Sequence, residues 1–153
     1  MSKTVTILFG EMGSGKSYWG KKLSRTFGDD FFEGDSAIPD DMLEKVNNFQ
    51  TIPRSMIENY LSILLNEIEY FIEKSSKGLV VSQALYKDSD RLDLANKLKA
   101  LGYTVNFIWI KVGFIQNMRQ LYSRENGLKW VFYWLMSKPF FQNPTHFHTT
   151  LPG

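Results

Sequence analysis

The stretch Gly10-Glu11-Met12-Gly13-Ser14-Gly15-Lys16-Ser17 constrains this chain more than any other, because it follows the apolar run Val5 to Phe9 and precedes a segment of helical periodicity. It satisfies G-x-x-x-x-G-K-[ST], the phosphate-binding loop. Glycines let the backbone turn successive N–H groups inward around phosphate oxygens, and the helix that follows aims its positive N-terminal end at the same place. Gly10, Gly13, Ser14 and Gly15 are therefore the expected cradle for the phosphates of ATP, Lys16 adds a full positive charge, and Ser17 offers a hydroxyl to Mg²⁺. A glycine-rich turn with an incidental lysine is the competing explanation. A strand pattern before the loop and a helix pattern after it argue against that explanation.

The rest of the chain repeats this strand-then-helix order. Thr4 to Phe9 is rich in β-branched residues without strict alternation, the pattern of a strand buried on both faces of a parallel sheet, and it is expected at the sheet centre. Lys16 to Phe27 carries apolar residues at Tyr18, Trp19, Leu23 and Phe27 and is stopped by Gly28. Phe31-Phe32-Glu33 reads as a second strand ending at Gly34-Asp35, beside the loop at the end of the first. Asp41-x-x-Glu44 and Ser55-x-x-Glu58 read as capping boxes, opening a short helix to about Asn47 and a long one through Ile72. Leu79 to Ser82 is a third strand, Ser89 caps a helix closed by Gly102, and Thr104 to Ile110 is a fourth strand. Helical segments follow over Phe114–Tyr122 and Leu128–Met136, and the proline-punctuated tail from Pro139 to Gly153 is expected to be irregular, with neither a fifth strand nor a closing helix.

Alternating strands and helices without a hairpin signal predict an α/β protein with a parallel sheet and right-handed crossovers. The expectation is a three-layer P-loop NTPase fold of about four to five strands flanked by helices, with a helical lid after the fourth strand. Residues 1–153 are read as one domain, the lid spanning about 114–138 and the tail 139–153. At 43% hydrophobic residues the chain can bury a core. A formal charge of +2 with no lysine or arginine run gives no case for a nucleic-acid partner, and the absence of cysteine excludes disulfides and thiolate metal sites. No apolar stretch approaches the roughly 20 residues of a membrane span and no signal-peptide pattern opens the chain, so no membrane partner and a cytoplasmic location are expected.

Phosphoryl transfer needs a carboxylate near the acceptor hydroxyl and cations near the phosphates. Asp35 is the best placed carboxylate, since open α/β sheets collect ligand-binding residues at strand C-terminal ends. A turn aspartate bonded to its own backbone is the alternative. The segment Trp130, Phe132, Tyr133, Trp134 reads either as core or subunit contact, or as part of a mobile lid; a homodimer through 130–141 goes with the subunit-contact reading. Arg25, Arg91 and Arg119 are expected on solvated helix faces, and His146 and His148 as surface histidines rather than metal ligands.

These residues resemble the gluconate kinase and shikimate kinase group of small-molecule kinases. The gluconate kinase pattern Gly-Asp, two residues, His-Pro is echoed by Gly34-Asp35-Ser36-Ala37-Ile38-Pro39, with Ile38 in place of the histidine. The resemblance implies that Asp35 contacts the acceptor hydroxyl and that Arg54, just ahead of the long helix, binds the substrate's carboxylate side; an ion pair at the helix start is the other reading of Arg54. Ser82-Gln83-Ala84-Leu85-Tyr86-Lys87 echoes the family's Ser-Ala-Leu-Lys, and Leu121-Tyr122-Ser123-Arg124 fits the Leu-x-x-Arg that leads its lid, implying that Arg124 reaches the transferred phosphoryl group. The lid's Gly-His-Phe-Phe is replaced by Asn126-Gly127-Leu128-Lys129-Trp130, and the third strand carries no acidic residue to activate water. The expected activity is an ATP- and Mg²⁺-dependent kinase for a hydroxyl of a small anionic metabolite such as a sugar acid, with Lys16, Asp35 and Arg124 catalytic. A nucleoside or nucleotide kinase, and a nucleotide-binding protein without an acceptor site, are the alternatives.

Overall fold

A computed structural model gives the fold of residues 2–152. Five strands form one parallel sheet: β1 (Thr4–Phe9), β2 (Asp30–Glu33), β3 (Gly78–Ser82), β4 (Thr104–Lys111) and β5 (Thr149–Pro152), in the order β2-β3-β1-β4-β5. β1 is central, as its unbroken apolar run requires, with Val5, Ile7, Leu8 and Phe9 all buried. β2 does not lie beside β1, as the sequence reading had it. β3 intervenes, because the long connection from β2 through two helices returns the chain to the middle of the sheet.

Six helices complete the layers: α1 (Lys16–Phe27), α2 (Asp40–Asn47), α3 (Arg54–Lys74), α4 (Asp88–Ala100), α5 (Phe114–Tyr122) and α6 (Gly127–Ser137). On one face Val5, Ile7, Phe9, Leu79 and Val81 pack against Leu64, Ile68 and Ile72 of α3 and Leu94 and Leu98 of α4. On the other, Leu8, Val80 and Ile110 pack against Trp19 and Leu23 of α1. Consecutive residues of β1 thus serve opposite layers, which accounts for the missing polar alternation. Neither expected capping box forms. Pro39 and Pro53 occupy the cap positions of α2 and α3 without a side-chain bond, and Ser89 lies inside α4, which begins at Asp88.

The tail is a second correction. A short 3₁₀ turn at Lys138–Phe140 ends α6, Phe141 stacks on Phe9 and Trp109 (6.5 and 6.4 Å between centroids), and β5 then pairs in parallel with β4 from Ile108 to Lys111. β5 is a four-residue edge strand carrying Pro152, which is tolerated there because an edge leaves one side of the strand unpaired. Its weak sequence signal has the same origin. Docking of the tail buries Arg91 completely, contrary to the expected solvated face. Its guanidinium lies 4.5 Å from the Phe9 ring and 5.3 Å from Phe141, donates to the Gln142 carbonyl and sits 3.6 Å from Asp88. The histidines are likewise half-buried: His146 packs on Phe107 and pairs with Asp88 at 3.1 Å, and His148 packs on Trp109.

The aromatic segment of α6 supplies core on one side only. Val131 and Trp134 join Leu121 in a small core against the phosphate-binding loop residue Met12, while Phe132, Leu135 and Met136 face outward. Among the described residues no helix is long and apolar enough to cross a membrane.

Candidate active site

The loop between β1 and α1 is shaped by what presses on it from below. Gly13 has φ +77°, and a Cβ there would lie 2.5 Å from Leu121 and 2.8 Å from the Asn117 amide oxygen, so glycine is required both by conformation and by the close approach of α5. Gly10, Ser14 and Gly15 complete the cradle, with the Ser14 amide bonded to the Glu11 carbonyl at 3.2 Å and the Ser14 hydroxyl buried without a partner. Lys16, in the first turn of α1, donates to the Glu11 carbonyl at 2.8 Å. Burial lowers its pKa to about 8; Asp35 opposes this, Arg124 adds to it, and Glu11 and Glu33 oppose it in turn. Among the described residues no group of three or more carboxylate or histidine side chains is arranged to hold a metal ion.

Those charges locate the other expected residues. Asp35 stands exposed in the 3₁₀ turn Gly34–Ala37 that ends β2, and Arg124 stands exposed just beyond α5; both act on Lys16. The charges of Asp35 and Arg124 are thus both felt at the Lys16 ammonium. Ser17 donates its hydroxyl to the Glu33 carboxylate, a partner that sequence reading missed. The available signal was its position as the last residue of β2, immediately before Gly34-Asp35. A hydroxyl paired with one carboxylate offers oxygen donors only, which suit a hard cation such as Mg²⁺.

Arg54 is engaged elsewhere. It grips Asp90 through two hydrogen bonds of 2.8 and 2.6 Å and reaches Glu58 at 3.2 Å, so the helix-start ion pair is formed, and its pKa is raised chiefly by the bond to Asp90.

Two polar links tie the end of α6 to the loop. Lys138 pairs with the Glu11 carboxylate at 3.1 Å, with its ammonium 5.1 Å from the Trp134 ring centre. The Tyr86 hydroxyl meets Ser137 at 3.2 Å and the backbone of Met12, and its pKa is pushed up to about 12 by burial. A cavity of about 260 Å³ lies between these links and β4, lined by Glu11, Ser14, Lys111, Asn117, Lys138 and Phe141. Across from it, Phe49 in the α2–α3 connection touches Phe132 and Tyr133 of α6 at 5.9 and 5.8 Å. The α6 segment is therefore tied both to the phosphate-binding loop and to the α2–α3 connection.

A phosphate-binding loop after the first strand of a sheet ordered 2-3-1-4-5, with a helical pair after the fourth, defines the P-loop kinase fold. No protein-family profile and no curated protein sequence matches the chain. Solved structures do. The crystal structure of a gluconokinase from Sinorhizobium meliloti 1021 is similar over 99% of this chain and 81% of its own, with a TM-score of 0.75 at 19% identity. The unliganded crystal structure of a sugar kinase from Janibacter sp. HTCC2649 is similar over 100% of this chain and 85% of its own, with a TM-score of 0.78 at 14% identity. At such identities the likeness establishes a shared fold.

Proposed function

We propose that the protein is an ATP-dependent kinase that transfers the γ-phosphoryl group to a hydroxyl of a small metabolite. The observation that carries this reading is the phosphate-binding loop at the end of the central strand, closed on by α5 at Gly13, with the charges of Asp35 and Arg124 acting on its lysine. Phosphoryl transfer requires little covalent chemistry from the protein and much positioning of charge. In this reading the loop amides and Lys16 hold the β- and γ-phosphates of the substrate ATP, and Arg124 neutralises charge on the moving phosphoryl group. Asp35 accepts the proton of the acceptor hydroxyl as its oxygen attacks the γ-phosphorus; the bond from that phosphorus to the β–γ bridging oxygen breaks, and ADP leaves. Ser17, with Glu33 behind it, would hold Mg²⁺, which supplies charge neutralisation at the phosphates when bound.

A sugar acid is the acceptor that the resemblance to gluconate kinases favours, and gluconokinase is the activity of one structural neighbour. For Arg54 to bind the acceptor's carboxylate it exchanges Asp90 for the ligand, a swap of like partners. A cytoplasmic location fits this chemistry. The test is ADP release from ATP and Mg²⁺ across a panel of sugar acids, polyols, neutral sugars and nucleosides. Acceptor-dependent release that disappears in Lys16→Ala supports the proposal. ATP binding without transfer to any panel member contradicts it.

A further inference from the structure

The carboxylate of Asp35 is exposed, yet the backbone that carries it rests on a buried polar relay. Tyr60 of α3, 5% exposed, donates its phenolic hydrogen to the Gly34 carbonyl at 3.0 Å. The side-chain amide of Gln83, itself buried at the end of β3, donates to the Tyr60 oxygen. The other half of that amide accepts from the Ala84 N–H at 2.6 Å, and the Gln83 backbone N–H donates to the Leu8 carbonyl of β1 at 3.0 Å. Each polar atom of the two side chains thus has a partner, and a fully satisfied buried network holds a single geometry. Gly34 fits closely onto it: a Cβ there would stand 2.8 Å from the Ser82 carbonyl oxygen and 3.0 Å from the Gln83 side chain.

The relay joins the strand that leads into the phosphate-binding loop to the turn that carries Asp35. We propose that Tyr60 and Gln83 are positioning residues, which fix the Gly34 peptide and through it aim the Asp35 carboxylate at the group that Lys16 holds. This rests on the kinase reading of the site. It adds two residues that contact neither nucleotide nor acceptor. Burial, with the Asp35 charge behind it, holds the Tyr60 phenol well above its usual range, so Tyr60 remains a hydrogen-bond donor at any working pH.

The test is a double-mutant cycle between Tyr60→Phe and Asp35→Asn, reading kcat, acceptor KM and the ATP dissociation constant. Tyr60→Phe keeps the ring and removes only the donor. The expected result is a fall in kcat of about tenfold or more, with ATP affinity unchanged, since small displacements of a reacting group are costly. In the Asp35→Asn background the same change has no further effect, because the relay acts through Asp35. Equal losses in both backgrounds, or an unchanged kcat in Tyr60→Phe, would overturn the proposal. Absence of transfer by the wild-type protein is a failure of the kinase reading. The relay is then read by amide hydrogen exchange over Gly34–Ala37, which quickens in Tyr60→Phe if the relay holds that turn and is unchanged if it does not.

Discussion

Lys16 and Glu11 are joined by a hydrogen bond of 2.8 Å from the lysine ammonium to the glutamate carbonyl, while the Glu11 carboxylate holds Lys138 at the end of α6. The residue that would receive the phosphates is thus bonded to the residue that ties the loop to the helices after β4. An ammonium carries three N–H donors, so Lys16 can keep that carbonyl while its remaining donors meet phosphate oxygens.

Nucleotide binding should weaken as pH rises through about 8. Below that value Lys16 is protonated in the free protein; above it the charge is lost and ATP must pull a proton back onto the amine. Isothermal titration with ATP between pH 7 and 9 tests this, and Lys16→Met should bind weakly at every pH without the inflection. The stability sign is opposite to that of an ion-paired lysine. The folded-state pKa lies below the unfolded value of 10.5, so the unfolded chain binds more protons between about 8 and 10.5, and this group's contribution to stability rises with pH across that window. Below pH 8 the full penalty of a buried charge remains, and Lys16→Met should raise Tm at pH 7 even as it removes ATP binding.

Glu33→Gln should raise the Mg²⁺ concentration needed for half-maximal ATP binding by about tenfold or more, because the carboxylate that orients the Ser17 hydroxyl is neutralised. A Mg²⁺ titration at fixed ATP measures this, and ATP binding without the cation should be little changed.

Arg91→Ala should destabilise the fold by about 3 kcal/mol in urea unfolding, since it empties a fully buried site between Phe9 and Phe141 and leaves Asp88 and the Gln142 carbonyl without that partner. Arg91→Met refills the slot with apolar volume and should cost less than half as much.

Lys138→Met should change global stability by less than about 1 kcal/mol, because the pair with Glu11 is partly exposed. Hydrogen exchange in α6 should nevertheless quicken, as one of two polar ties to the loop is lost.

What could be read from the sequence was local. The loop from Gly10 to Ser17 is legible because its glycines, lysine and serine act within eight consecutive residues, and Asp35 because a strand's end is visible in a run of four. Arg124 was reached by its spacing from Leu121 in the resemblance. Glu33 escaped because its contact with Ser17 joins the end of one strand to the start of a helix beyond another, a proximity set by sheet order rather than by any pattern. Arg91 escaped for a related reason. It shares a face of α4 with the buried Leu94, Ala95 and Leu98, but its charge reads as solvated until Phe141 and Gln142 fold back over it, and the strand that fastens that tail is four residues long, with a proline at its end. Tyr60 shares the buried face of α3 with Leu64 and Ile68; its hydroxyl's partner, the Gly34 carbonyl, is a backbone atom invisible to side-chain patterns.

The most direct test compares the wild-type protein with Asp35→Asn in a coupled ADP-release assay with ATP, Mg²⁺ and the acceptor panel, alongside ATP binding by titration. The account predicts acceptor-dependent turnover in the wild type, a kcat lower by about 10² or more in Asp35→Asn, and equal ATP affinity in the two proteins. Equal turnover in the two proteins, or ATP binding with no transfer to any acceptor, would contradict it.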